Sequence, residues 1–224
     1  MGKKFLCVGD LHFPFVHKKS VSKIISIIES NHFDYVIQMG DLYDLYSFSR
    51  FARSHDVMTP KQEMTDARIG AEEFWTMVKK RLPKASLYQI IGNHDARPAA
   101  RMMEKFPEIA SLIDLTHYWK FDGVNTISDP KEPLILEDTI FTHGFLSKLG
   151  DHMKYFGGKN TVCGHSHRGG VFYVNTGQGI RWELNCGYLA DPDSAALSYR
   201  PTKFNHWTLG YGIIDEQGPR FCPL

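Results

Sequence analysis

The chain has 224 residues, 42% of them hydrophobic and 23% charged, with a formal net charge of +1. This composition excludes a disordered or membrane-embedded chain and leaves enough apolar material for the core of one generous domain, expected to span 1–224. The near balance of 26 Lys and Arg against 25 Asp and Glu supplies no global field for duplex nucleic acid or a membrane surface, so any attraction for phosphate must be local.

Phe5 to Val8 is a short apolar run ended by Gly9-Asp10, and Val21 to Ile28 places apolar residues at helical spacing, so the chain opens strand, loop, helix. The pattern then recurs. Tyr35 to Met39 runs into Gly40-Asp41, and Leu87 to Ile91 runs into Gly92-Asn93-His94-Asp95. Helices are predicted around Asp44 to His55, around Glu63 to Leu82 and after Pro98, where proline suits a first turn. This alternation argues for an α/β sheet whose ligand site lies beyond the carboxyl ends of its strands.

The second half is β-rich. Leu134 to Leu136 and Thr139 to Thr142 lead to His143-Gly144, and Thr161 to Cys163 leads to Gly164-His165-Ser166-His167. One hairpin is predicted where Val171–Val174 meets Ile180–Leu184, and another in the tail, where Thr208–Ile214 meets Arg220–Cys222. No linker, repeat or low-complexity segment separates the halves.

Five motifs therefore sit at strand ends: Gly9-Asp10-Leu11-His12, Gly40-Asp41, Gly92-Asn93-His94-Asp95, Thr142-His143-Gly144 and Gly164-His165-Ser166-His167. Alone, each is an ordinary turn or a packed histidine. Together they use five of the 11 histidines, and strand ends at one sheet edge converge in space. Glycine before the donors lets the chain turn sharply, and donor-x-donor spacing lets two side chains reach one ion.

The ordered set D-x-H, G-D, G-N-H-D, H-G and G-H-S-H resembles the calcineurin-like metallophosphoesterase family over residues 5–167, and most closely its phage and bacterial members of unassigned substrate. The resemblance implies a fold of two facing mixed β-sheets flanked by helices, with the β-rich tail belonging to the second sheet. It implies that Asp10, His12 and His167 hold one metal, that Asn93, His143 and His165 hold the other, that Asp41 bridges them, and that His94 is the acid.

Elementary electrostatics agrees. Two divalent ions outweigh the charges of Asp10 and Asp41, the remaining donors being neutral, so the centre stays cationic and attracts phosphate. Two ions roughly 3.5–4 Å apart activate water and clamp the attacking and leaving oxygens of an in-line displacement. Mixed nitrogen and oxygen donors without thiolate suit Mn²⁺ first, with Fe²⁺, Zn²⁺, Ni²⁺ or Co²⁺ as alternatives, rather than calcium or magnesium alone.

Asp44 and Asp95 are placed to orient histidines from behind, or else are solvated loop carboxylates. Arg97 and Arg168 follow ligand motifs closely enough to fork onto phosphate oxygens, the alternative being surface ion pairs. Tyr43 to Arg81, with Tyr46, Phe48, Arg50, Phe51, Arg53 and Trp75, forms either an aromatic and basic wall for a nucleotide or single strand, or an amphipathic helix pair packed inward. His17, His32, His55, His117, His152 and His206 lack paired spacing and read as structural or surface residues.

The leading function is a two-metal phosphodiesterase. Its alternatives are a DNA or RNA nuclease, including a repair-type exonuclease, and a phosphomonoesterase acting on protein or nucleotide. A non-catalytic scaffold is a further class, against which His94 speaks. The four cysteines are widely spaced, without a CxxC pair, and read as free thiols. Asp10 stops the N-terminal apolar run short of a signal peptide, Leu6 breaks the myristoylation pattern, and no run approaches membrane-spanning length, so a cytoplasmic protein without a membrane partner is expected.

Overall fold

The computed structural model describes residues 2–49, 58–110, 112, 114–129, 132–197 and 206–224. Its first strand, β1 (Phe5–Val8), is buried along its whole length. Alternation splits the strand between two cores: Leu6 and Val8 join the cluster beneath the helices, while Phe5 and Cys7 join a second cluster between two sheets. Burial on both faces is why the run is continuously apolar.

The next two strands repeat this logic. β2 (Tyr35–Gln38) and β3 (Ser86–Ile90) lie parallel to β1, pairing Val8 with Gln38 and Gln38 with Gln89, so the three chains leave the sheet at one edge. β4 (Val124–Ile127) extends the parallel set beside β3. Its Val-Asn-Thr-Ile segment has no clear alternation and is only partly buried, so pairing rather than sequence pattern defines it. The tail hairpin, expected in the second sheet, instead closes the other side of this first one: β10 (Gly210–Asp215) pairs antiparallel with β1, setting Phe5 opposite Ile214, and β11 (Gly218–Pro223) folds back on β10.

The second sheet runs in the order β5 (Leu134–Leu136), β6 (Thr139–Phe141), β7 (Thr161–Cys163), β9 (Ile180–Asn185), β8 (Gly170–Asn175). β6, β7 and β9 are mutually parallel and the outer strands antiparallel. Phe141, Val162, Leu184 and Cys186 from this sheet meet Phe5, Cys7, Ile37, Met39 and Ile90 from the first. Two facing mixed sheets are thus welded by one apolar layer.

Helices cover the outer faces. α1 (Lys18–Ser30) buries Val21, Ile24, Ile25 and Ile28, the helical spacing read from its sequence. α2 (Pro60–Arg81) begins with Thr59 accepting from the Gln62 N–H and Pro60 in the first turn, and ends with Lys79, Lys80 and Arg81, which complement its dipole. Trp75, 1% exposed, lies in its buried stripe and donates its indole N–H to Gln89 Oε1 at 3.2 Å. Tyr43 and Tyr46 are buried too, so much of the expected aromatic wall is core, while Phe48 lines a cleft. α5 (Asp151–Tyr155) packs on β7 and β9.

The helix expected around Asp44 to His55 is, in its described part, a single 3-10 turn at Tyr46–Phe48. Leu45 at φ +54° breaks the helical path, and the buried Glu63 carboxylate takes the N–H groups of Tyr46 and Ser47 at 2.6 and 2.7 Å. Arg50, Phe51, Arg53 and His55 lie outside the described residues. Cys7, Cys163 and Cys186 are buried free thiols and Cys222 is partly exposed. No helix among the described residues is long and apolar enough to cross a membrane.

Trp75→Ala should cost about 3–5 kcal/mol of stability, the usual range for a large aromatic deleted from a core. Urea unfolding measures it, and a loss below about 1 kcal/mol would contradict this packing.

Candidate metal centre

The strand-end motifs arrive at one place. Asp10, His12 and Asp41 follow β1 and β2, Asn93 and His94 follow β3, and His143, His165 and His167 follow β6 and β7 of the facing sheet. Five of these residues hold positive φ: Asp10 at 53°, His12 at 54°, Asp41 at 52°, His165 at 65° and His167 at 59°. For side chains other than glycine this costs of order 1–3 kcal/mol each and persists where surrounding structure enforces it. Here backbone bonds do so, from Asp10 N to Gly40 O, His12 N to Asp41 O and Gly164 N to His143 O, each 3.0 Å.

The glycines are explained by contact. A Cβ on Gly92 would fall on the carboxylate and backbone of Asp41, one on Gly40 would enter the His143 ring, and one on Gly164 would sit 2.6 Å from Asp10 Oδ2.

Two groups of donors result. The ligating atoms of Asp10, His12 and His167 lie within 4.8 Å of one another, and so do those of Asp41, His143 and His165. Asn93 Oδ1 joins the second group at 3.0 Å from His143 Nε2 and 2.8 Å from His165 Nδ1. Asp41 Oδ2 is 3.2 Å from His143 Nε2 and 4.0 Å from His12 Nε2, between the groups.

Proton accounting identifies what the centre lacks. His143 Nδ1 donates to the Met39 carbonyl at 2.9 Å, so in the neutral ring Nε2 presents a lone pair to Asn93 Oδ1 and Asp41 Oδ2, which are also acceptors. His12 repeats the arrangement: Nδ1 donates to Asp44 Oδ2 at 2.8 Å, leaving Nε2 toward Asp10 and Asp41. Asp10 Oδ1 and His12 Nε2 are buried without a hydrogen-bond partner, and His167 Nε2 faces Asp10 Oδ1 at 3.1 Å. Converging acceptors with no proton to share fit a bound cation.

The ionisation of the cluster agrees. Burial raises the Asp10 carboxyl, but His167 and His12 outweigh it and hold the pKa well below the ordinary range, and His143 and His94 do the same for Asp41. Burial alone would lower His12 and His143. Asp10 and Asp44 push His12 up to about 10, and Asp41 pushes His143 up to about 9. His165 falls to about 4, through burial and the neighbouring His143.

Asp44 Oδ2 accepts from His12 Nδ1 at 2.8 Å and lies 3.6 Å from His94 Nδ1. Asp95 is bonded to backbone instead. Its carboxylate takes the N–H groups of Tyr43 and Gly92 at 2.8 Å and Leu42 at 3.3 Å, tying the loop after β2 to the loop after β3, while burial and Asp41 raise its pKa to about 7. Arg97, which opens α3 (Arg97–Lys105), donates to Asp44 O at 2.8 Å and to His94 Nε2 at 2.7 Å. It also lines a cleft of about 300 Å³ with Asn93, Phe48, Arg101 and Glu104. Arg168 is exposed and donates to Ser147 O at 3.2 Å.

Sequence reasoning missed three supporting side chains. Asn185 Nδ2 holds the Gly164–His167 loop through Gly164 O at 2.9 Å and Ser166 Oγ at 3.0 Å. Gln38 closes the Gly40 turn. His152, 1% exposed, accepts the N–H groups of Phe145 and Leu146 and so pins the loop after His143. Asn185 ends a strand, as the ligands do, but nothing local marks Gln38 or His152.

A sequence profile of the calcineurin-like phosphoesterase family matches residues 3–169. The Gene 54 proteins of Mycobacterium phages D29 and L5 are each 24% identical to this chain, covering all of it and 92% of themselves. Among solved structures, a metallophosphoesterase from Sphaerobacter thermophilus is 13% identical, with a TM-score of 0.51 over 100% of this chain and 89% of that one. Vps29 from Chaetomium thermophilum is 12% identical, with a TM-score of 0.52 over 96% of this chain and 86% of that one. At such identities these two likenesses show a shared fold.

Asp95→Ala should leave the N–H groups of Leu42, Tyr43 and Gly92 buried without acceptors, at about 1–3 kcal/mol for each one that water does not reach. Chemical denaturation should show a loss of at least about 2 kcal/mol, with Asp95→Asn milder. Equal stability of Asp95→Ala and the parent would contradict the bridging role.

Proposed function

Because the chain belongs to the calcineurin-like phosphoesterase family, we propose that it is a two-metal phosphodiesterase whose centre is held by Asp10, His12, Asp41, Asn93, His143, His165 and His167. The observation that carries the reading is the convergence, in one buried volume, of carboxylate, amide and imidazole atoms that are all acceptors once the histidines are neutral. Asp10, His12 and His167 would hold one ion, Asn93, His143 and His165 the other, and Asp41 both. Mn²⁺ is the first metal to test, since the donors mix nitrogen and oxygen without thiolate. When bound, the ions supply an activated water nucleophile and neutralise charge on the phosphoryl oxygens.

The side chains do the rest. His12 is locked in one tautomer by Asp44, and His143 by the Met39 carbonyl, so neither ring turns away from the centre. His94 is the proposed acid. Arg97 donates to its Nε2, and transfer of that guanidinium to a substrate oxygen frees Nε2 to take a proton from solvent and pass it to the leaving group. Burial lowers the pKa of His94, which makes its protonated form a stronger acid. Diester preference is supported by the cleft beside Asn93, which leaves room for a second substituent on the phosphate.

Chelation should abolish turnover of a small model phosphodiester and Mn²⁺ should restore it. Asp41→Asn should lower both metal content and rate, whereas His94→Gln should keep the metal and cut turnover roughly 10²–10⁴-fold. Full turnover in a verified metal-free preparation would end the reading, and loss of metal from His94→Gln would make His94 a ligand instead.

Metal binding should also release protons. His12 and His143 hold theirs below about 10 and about 9, and each must lose one to ligate, so apparent affinity should rise from neutral pH toward those values. Calorimetry in buffers of different ionisation enthalpy measures this, and pH-independent affinity would contradict the assigned ligands.

A further inference from the structure

Phe145 lies two residues beyond His143 and is 53% exposed, and Tyr155 is 65% exposed. Their rings meet edge to face with centroids 5.0 Å apart, and Tyr155 continues to Phe156 at 5.1 Å. This is no mobile fringe, because His152 Nε2 holds the backbone N–H groups of Phe145 and Leu146 at 2.9 and 3.0 Å. Behind it, Glu183 takes the N–H groups of Gly150 and Met153 at 2.8 Å each, fixing the start of α5. Buried polar groups thus present exposed aromatic rings beside the proposed phosphate centre.

The charge around these rings is one-sided. Between Phe145 and Arg168 the cations are Lys148, Lys154, Lys159 and Arg168, and the only carboxylate is Asp151. All four cations are exposed. Asp151 holds Lys154 at 3.1 Å, but the Lys154 side chain is 61% exposed, a pairing water weakens. Arg168 reaches the same loop through Ser147 O. A chain of net charge +1 therefore carries, within residues 145–168, a surplus of three positive charges, four cations against one carboxylate.

Aromatic faces interleaved with cations match single-stranded nucleic acid, whose bases stack on rings while its phosphates meet the cations. A duplex keeps its base faces stacked internally and cannot use the rings. A protein partner fits poorly, because interface cores are depleted of lysine. We propose that residues 145–159 with Arg168 form a landing platform for single-stranded nucleic acid, which leads a strand into the phosphodiester-cleaving centre. The proposal rests on the phosphodiesterase reading for what happens to the strand, but not for its binding.

The test is fluorescence anisotropy of the full chain with labelled oligothymidylate or oligouridylate, in EDTA so that no strand is consumed. Binding of either strand is expected. Phe145→Ala and Tyr155→Ala should each weaken it by about tenfold, the scale of one lost base stack. Lys148→Gln should reduce the slope of log affinity against log salt by about 0.7. Tyr173→Ala, removing an exposed ring on β8 whose hydroxyl turns to Pro219 of β11, should leave affinity unchanged. Thermal melts check that each variant is folded. The platform is overturned if neither strand binds, if removing Phe145 and Tyr155 changes nothing, if Tyr173→Ala is as damaging, or if duplex binds as tightly. Chelation-sensitive diester turnover of the unaltered protein tests the other reading, so either can fail alone.

Discussion

Everything in this fold turns on the convergence of carboxylates and imidazoles in one buried volume. Acceptor atoms from strands of both sheets point at one small volume, and the hydrogen bonds behind them, to Met39 and Asp44, fix the imidazoles of His143 and His12 so that lone pairs face inward. Without a cation the carboxylates can be relieved only by protonating the histidines, which is why His12 and His143 are pushed up and Asp10 and Asp41 held down. The strained backbone at five of these residues is stabilised by the loop hydrogen bonds and by the apolar layer that clamps the sheets together.

The architecture serves that convergence. Parallel strands in register end at one edge, so their loops start level with one another. Glycine at positions 40, 92 and 164 lets those loops pass within contact of His143, Asp41 and Asp10, where a methyl group would displace a carboxylate or an imidazole. Asp95 then joins two loops through three backbone N–H groups, and Asn185 and His152 perform the same service on the second sheet.

Much of this was legible in the sequence because central parallel strands are apolar on both faces and stop abruptly at polar residues. Phe5–Val8 and Tyr35–Met39 could be located that way, and their Gly-Asp endings placed the donors on one edge. What was not legible depended on distant partners. β4 is a strand because β3 lies beside it, and the turn after Leu45 is short because Glu63, far along the chain, caps it. Asp95 read either as a histidine partner or as a solvated loop carboxylate, but it is buried and binds backbone, a distinction that spacing cannot make. Net charge misled in a different manner: a sum near zero concealed the cations gathered between Phe145 and Arg168.

Anomalous diffraction from crystals grown with Mn²⁺ tests the central claim most directly. The account predicts two peaks, one touching Asp10, His12 and His167, the other Asn93, His143 and His165, with Asp41 contacting both. Crystals whose ordered manganese lies elsewhere, for example among His152, Cys163 and Glu183, while these seven side chains bond only to one another, would contradict it.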